Sequence, residues 1–175
     1  MARAIAYKLI FGEFGWLGYI GRPTFLLRPG RIRIGKRVRI FPGLRAECHG
    51  VGALLIDDNV SIGQNLHVIA SSDLRIGSGC LISGDVFITD TDHTFERIDV
   101  PVFDQPERVA PTRIGRNCFL GIGARIQAGT TLGDGCVVGA NSVVKGSFPD
   151  YSMIVGTPGR IVKRYSFTSN AWERC

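Results

Sequence analysis

Apolar residues recur at every sixth position along much of the chain. From Ile114 the sequence divides into IGRNCF, LGIGAR, IQAGTT, LGDGCV, VGANSV and VKGSFP, anchored by Ile114, Leu120, Ile126, Leu132, Val138 and Val144. Four residues after the first five anchors stand Cys118, Ala124, Thr130, Cys136 and Ser142, all small. The same frame holds upstream at Ile34, at Ile56, Ile62 and Val68, and at Ile76, Ile82 and Ile88. A period of six is far from the helical repeat of about 3.6 residues, and being even it preserves the in/out alternation of a strand. The pattern predicts short flat strands, each followed by a corner. Three strands close a triangular coil of roughly 18 residues, and coils stacked about 4.8 Å apart bury a column of Ile, Leu and Val. The small fifth residue fits where two faces meet. The expected fold class is all-β, a parallel β-helix over residues 31–158 with short extensions on either side.

The frame slips in three places. Ile40 to Ile56 spans sixteen residues, Val68 to Ile76 eight, and Ile88 to Ile114 twenty-six. The first two predict bulges at corners; the third, at about 89–113, predicts a loop that leaves the coil. That loop opens with FITDTDHTFER, which carries His93 between carboxylates and threonines. An imidazole with an ordinary pKa near 6.5 can accept the proton of a poor hydroxyl nucleophile at neutral pH and later return it. Asp90 or Asp92 is placed to hold the second ring nitrogen and fix the tautomer.

Composition narrows the picture. Gly is abundant, at 23 of 175 residues, and aromatics are only 9%, which suits tight corners. The five cysteines form no CxxC pair and no Cys/His zinc spacing, which fits a reducing cytoplasm. Cys80, Cys118 and Cys136 fall in the small-residue slot and read as packing residues. Net charge is +6, with eight Lys and Arg and no acidic residue between Phe14 and Ala46. This stretch reads as a solvated face or as a surface meeting anionic lipid or glycan. No recognised nucleic-acid motif accompanies it. The apolar segment from Ala4 to Ile20 is interrupted by Lys8, Glu13 and three glycines, and falls short of a membrane span. With Phe11, Phe14, Trp16, Leu17 and Tyr19 it is expected to cap the coil as a segment over residues 1–30, or to lie at a membrane surface.

The uninterrupted hexads and the ending PDYSMIVGTPGRIVKRY resemble the hexapeptide-repeat acyltransferases. The loop after FITD and the tail KRYSFTSNAWERC resemble the bacterial sugar O-acetyltransferases among them, those of lipopolysaccharide O-antigen in particular. The resemblance implies a left-handed β-helix, a homotrimer, acetyl-coenzyme A as cosubstrate and no metal. It implies His93 as the catalytic base of a direct transfer to a sugar or other small-molecule or glycan acceptor. Asp85 and Arg97 are implied as acceptor-binding residues, with Glu96 as a further contact. Gly121 and Ala140 are implied to present backbone to the pantetheine arm, with an N–H nearby for the oxyanion. Lys145, Arg160 and Lys163 in the basic tail (159–175) and beside it are implied to meet the phosphates. The expected location is cytoplasmic, reaching to the inner face of the membrane.

Two other functions share this coil. A γ-carbonic-anhydrase-like metal site would draw on His49, His67 and His93, but the slip between Ile40 and Ile56 spoils the register of the first two. A non-catalytic assembly module would need neither the histidine loop nor the basic turn. His67 reads as a surface residue and His49 as uninformative.

Overall fold

The computed structural model describes residue 7 and residues 9–175; the first six residues and Lys8, part of the expected cap, lie outside the described residues. The chain winds as a parallel β-solenoid of about seven turns. Face one stacks Glu13–Phe14, Ile32–Ile34, Ala53–Ile56, Asp73–Ile76, Arg113–Ile114, Thr131–Leu132 and Ser147–Phe148. Face two runs from Tyr19–Ile20 through Leu81–Ile82 and Phe119–Leu120 to Ser152–Gly156. Face three stacks Phe25–Leu27, Arg45–Cys48, His67–Ala70, Phe87–Thr89, Arg125–Ile126 and Val143–Val144. Anchors align across coils, as in Ile62, Ile82, Leu120, Val138 and Ile154.

Every sixth-position anchor named above is 0–2% exposed. Burying each such side chain contributes about 1.5–3 kcal/mol, so the column is the dominant source of stability. The fifth-place residues are buried as well; they are small throughout the C-terminal coils but, Cys80 apart, mostly large upstream. Upstream the slot holds Val38, Leu44, Val60, Leu66 and Val86. The thiols of Cys80, Cys118 and Cys136 donate to the carbonyls of Gly115, Gly133 and Pro149, and none is oxidised.

The solenoid starts before residue 31. Glu13–Phe14, Tyr19–Ile20 and Phe25–Leu27 already pair in parallel with the next coil. Phe14, Ile20 and Leu26 keep the six-residue spacing, with an aromatic as first anchor. The tail is also strand: Gly159–Ser166 pairs antiparallel with Ser152–Gly156 and with Ala171–Arg174, extending face two. Tyr165 packs edge-on against Trp172 at 5.7 Å. Among the described residues no helix is long and apolar enough to cross a membrane.

The three slips fall on one edge of the prism, where face three turns into face one. Anchor spacing there is eight from Leu26 to Ile34, ten from Ala46 to Ile56, eight from Val68 to Ile76 and twenty-six from Ile88 to Ile114. Between faces two and three it is six throughout, from Ile20 to Leu26 up to Val138 to Val144. One edge of the molecule is thus lengthened and the next one tight.

Candidate active site

The longest insertion folds into an antiparallel hairpin, Thr91–His93 against Glu107–Val109. Its base is fixed by Asp90, which is fully buried. One carboxylate oxygen accepts from the Ser71 N–H at 2.7 Å and the Thr91 hydroxyl at 3.0 Å; the other accepts from the Ser72 N–H at 2.8 Å and the Ser72 hydroxyl at 2.6 Å. Asp90 therefore corrects the expectation that it orients His93: its lone pairs are occupied by the corner of the preceding coil. Asp92 accepts from the His93 backbone N–H at 3.1 Å and meets Lys145 Nζ at 3.5 Å, so it too leaves the imidazole alone.

His93 is exposed, and its ring has no hydrogen-bond partner among the described residues. It faces Glu107 directly across the hairpin, and such pairs bring Cβ atoms to about 5 Å. Both line a cavity of about 420 Å³ along the lengthened edge, whose floor is face three: Ile69, Phe87, Thr89 and, from an earlier coil, Glu47. His49 lines the same cavity from the four-residue insertion below.

Glu47 is 9% exposed and sits at the centre of a charged cluster. Its Oε1 accepts from Arg45 Nε at 2.7 Å and lies 3.2 Å from His67 Nε2, while Oε2 lies 3.4 Å from His49 Nε2. Burial pushes its carboxyl up, but the Arg45 guanidinium and the imidazoles of His67 and His49 outweigh burial and hold it below its ordinary value of 4.5. A depressed carboxyl stabilises the fold above its unfolded pKa, and that stabilisation is lost as pH falls through the lower folded value. Relative to Glu47→Gln, the parent should thus gain melting temperature at pH 6 and forfeit the gain as pH drops below about 4.5; thermal scans of both proteins check this.

Sequence reasoning missed this cluster. The 22-residue coil that aligns Arg45 with His67 has no counterpart in the eighteen-residue frame, so His67 looked like surface and His49 like nothing. His67 instead packs edge-on against Phe87 at 5.0 Å.

The remaining expected residues divide between two edges. Lys145 stands at the lengthened edge beside Asp92, away from the basic turn with which it was grouped. Arg97 pairs with Asp99 at 2.7 Å on the exposed hairpin arm, apart from the residues that line the cavity. Asp85 lies on the tight edge, at φ 59, and accepts from Asn65 Nδ2 at 3.0 Å. It stacks in a ladder of left-handed corner residues with Asn65, Gly123 and Asn141. The strand Phe87–Thr89 separates it from Asp90 by about 16 Å of extended chain.

Gly121 and Ala140 also lie on the tight edge. A Cβ on Gly121 would come within 2.6 Å of Ala140 N, so the glycine is required by coil-on-coil contact. Its N–H is taken by the Val138 carbonyl at 2.8 Å, which removes it as an oxyanion donor. Ala140 is exposed, and its N–H has no acceptor among the described residues. The turn just before exposed Arg160 docks on the same edge through Gly156 N–H to Ser142 Oγ at 3.0 Å. Lys163 follows Arg160 on the same strand, Gly159–Ser166, paired in register with Met153.

The family described as the hexapeptide repeat of succinyl-transferase matches residues 111–145, the uninterrupted hexads. WbbJ of Escherichia coli K12, named as a lipopolysaccharide biosynthesis O-acetyl transferase, is 33% identical over 159 residues, covering 87% of this chain and 81% of its own. The chain belongs to the hexapeptide-repeat acyltransferases. Two solved structures of acyltransferases share its fold. AntD, an N-acyltransferase from Bacillus cereus solved as a variant with dTDP-4-amino-4,6-dideoxyglucose and coenzyme A, superposes with a TM-score of 0.79 at 19% identity, covering 97% of this chain and 91% of that one. A galactoside acetyltransferase in complex with coenzyme A gives 0.64 at 21%, covering 95% and 72%. As a hexapeptide-repeat acyltransferase, the chain keeps its hexads regular at the tight edge and confines its irregularity to the edge that bears the hairpin.

Proposed function

We propose that the protein transfers acetyl from acetyl-coenzyme A to a hydroxyl of a sugar, in a bacterial surface polysaccharide or its precursor, with His93 as general base. The observation that carries this reading is the uncommitted imidazole of His93 lining a 420 Å³ cleft at the edge where the insertions gather. Acetyl-coenzyme A supplies an activated thioester. His93 accepts the hydroxyl proton as the oxygen attacks and returns it to the departing thiol; such proton transfer contributes about 10²–10⁴-fold. Glu107 stands opposite His93 across the hairpin and lines the same cleft. No cysteine is assigned a part: Cys48, Cys80, Cys118 and Cys136 are buried, and exposed Cys175 does not line the cleft.

The residues of the tight edge suit the cosubstrate: a free N–H at exposed Ala140, and exposed Arg160 with Lys163 for phosphate. Because that edge and the hairpin edge of one chain stand about 16 Å apart across face three, His93 of one copy works with the tight edge of another. This favours a homotrimer with three such junctions. Apolar side chains exposed on face two, at the tight edge and on the hairpin arm (Leu81 and Phe119, Ile122, and Phe103) supply surface for that contact.

Acetyl-coenzyme A consumption screened against nucleotide sugars and purified surface oligosaccharides tests donor and acceptor together. Turnover with a sugar is expected; turnover only with serine or simple amines contradicts the reading.

A cytoplasmic protein acting at the inner membrane face accords with the first coils. Exposed Trp16, Leu17, Tyr19 and Phe41 stand with Lys36, Arg37 and Arg39 at one end of the prism. Basic residues near an anionic bilayer are worth about 1 kcal/mol each. The protein should co-float with phosphatidylglycerol vesicles at low salt and detach at high salt. Absence of co-flotation at low salt removes the membrane contact.

A further inference from the structure

The cleft contains a second imidazole that the acetyl-transfer mechanism does not use. His49 Nε2 lies 3.4 Å from Glu47 Oε2, and Glu47 is held ionised by Arg45 at 2.7 Å. This ion-pair contact holds the His49 ring beside Glu47 at the cleft wall, where the ring can exchange a hydrogen bond with a ligand hydroxyl. His93, by contrast, has no carboxylate against its ring among the described residues.

The remaining lining sets the charge of what can enter. Glu47, Asp92 and Glu107 are all part of it, and no lysine or arginine is. The nearest cations are already engaged: Arg45 on Glu47, and Lys145 on Asp92 at 3.5 Å. A ligand carboxylate or phosphate would meet the unpaired Glu107 and two carboxylates already neutralised by their own cations, with no guanidinium or ammonium in the lining left to pair with it. Hydroxyl groups meet acceptors on several sides. Ile69 and half-buried Phe87 offer an apolar wall of the kind that the C–H face of a sugar ring covers.

Resting on the reading of this cleft as the acceptor site, we propose that His49 binds the acceptor, that Glu47 is its positioning residue, and that the cleft selects an uncharged sugar over a uronic or sialic acid. The His49 ring meets a sugar hydroxyl other than the one that reacts. Glu47 acts through His49 by holding its ring at the cleft wall, 3.4 Å from Oε2. The specificity comes as much from repulsion of anions as from attraction of hydroxyls.

The test is steady-state acetyl transfer to matched methyl hexosides and methyl hexuronides, with coenzyme A affinity measured by calorimetry on the same proteins. The parent should show kcat/KM at least about tenfold higher for the hexoside. His49→Ala should raise the acceptor KM about tenfold or more with kcat and coenzyme A affinity unchanged. His49→Gln, which retains an acceptor group and perturbs packing less, should recover part of the loss. Glu47→Gln should raise KM in the same way without touching coenzyme A. A hexuronide used as well as the hexoside, or a parental KM in His49→Ala, overturns the inference and leaves acetyl transfer by His93 standing. Full turnover in His93→Ala, or no transfer to either sugar class, overturns the reading of the cleft and the inference with it.

Discussion

Replacing His93 with alanine is expected to lower kcat by about a hundred- to ten-thousand-fold while leaving coenzyme A affinity unchanged. The size follows from the usual worth of a positioned base. The selectivity follows from the surroundings: the ring is exposed and has no hydrogen-bond partner among the described residues, so removing it opens no cavity and strands no polar group. Exposed substitutions of that kind stay within about 0.5 kcal/mol of parental stability. Loss of turnover at an unchanged melting temperature therefore isolates the proton-transfer role. Activity within tenfold of the parent would remove His93 from the mechanism.

Asp90→Ala should act in the opposite way, through the fold. The buried carboxylate accepts from two backbone N–H groups and two hydroxyls that join the hairpin base to the corner at Ser71 and Ser72. Hydrogen bonds to a charged group contribute about 1.5–3 kcal/mol each, and stranded donors cost about 1–3 kcal/mol. A net loss of about 3 kcal/mol in urea unfolding is expected, with activity falling because the hairpin that carries His93 loses its anchor. Asp90→Asn, which keeps the shape and half the acceptors, should lose less. Full stability in Asp90→Ala would mean that the hairpin is held from elsewhere, through contacts such as the Thr112 hydroxyl to the Thr89 carbonyl at 2.8 Å.

These two aspartate and histidine roles show where the sequence speaks and where it does not. The period of six was enough for the prism, because each anchor is judged by its own hydrophobicity and by the residue six away. It lost the first coil, where Phe14 replaces an aliphatic and the Leu26 corner adds two residues. His93 was legible because a polar loop interrupts an otherwise regular frame. Asp90 and Asp92 looked equivalent, since a strand reading cannot tell which carboxylate turns under the coil and which turns to solvent. Arg45, Glu47 and His49 alternate two residues apart, a spacing that puts them on one side of a strand; the partner that was invisible is His67, which the register of Arg45 with His67 brings in from the next coil. Asp85 takes the left-handed backbone of the corner ladder, which the spacing of six does not reveal.

The central claim is the proposal that the two edges of neighbouring copies together form each active site. A crystal structure of the protein with coenzyme A tests it most directly. The account predicts the pantetheine arm along Gly121 and Ala140 of one copy, with the thiol ending within about 3–3.5 Å of the His93 imidazole of its neighbour. Coenzyme A bound along the lengthened edge of a single chain, or with its thiol remote from every His93, would contradict it.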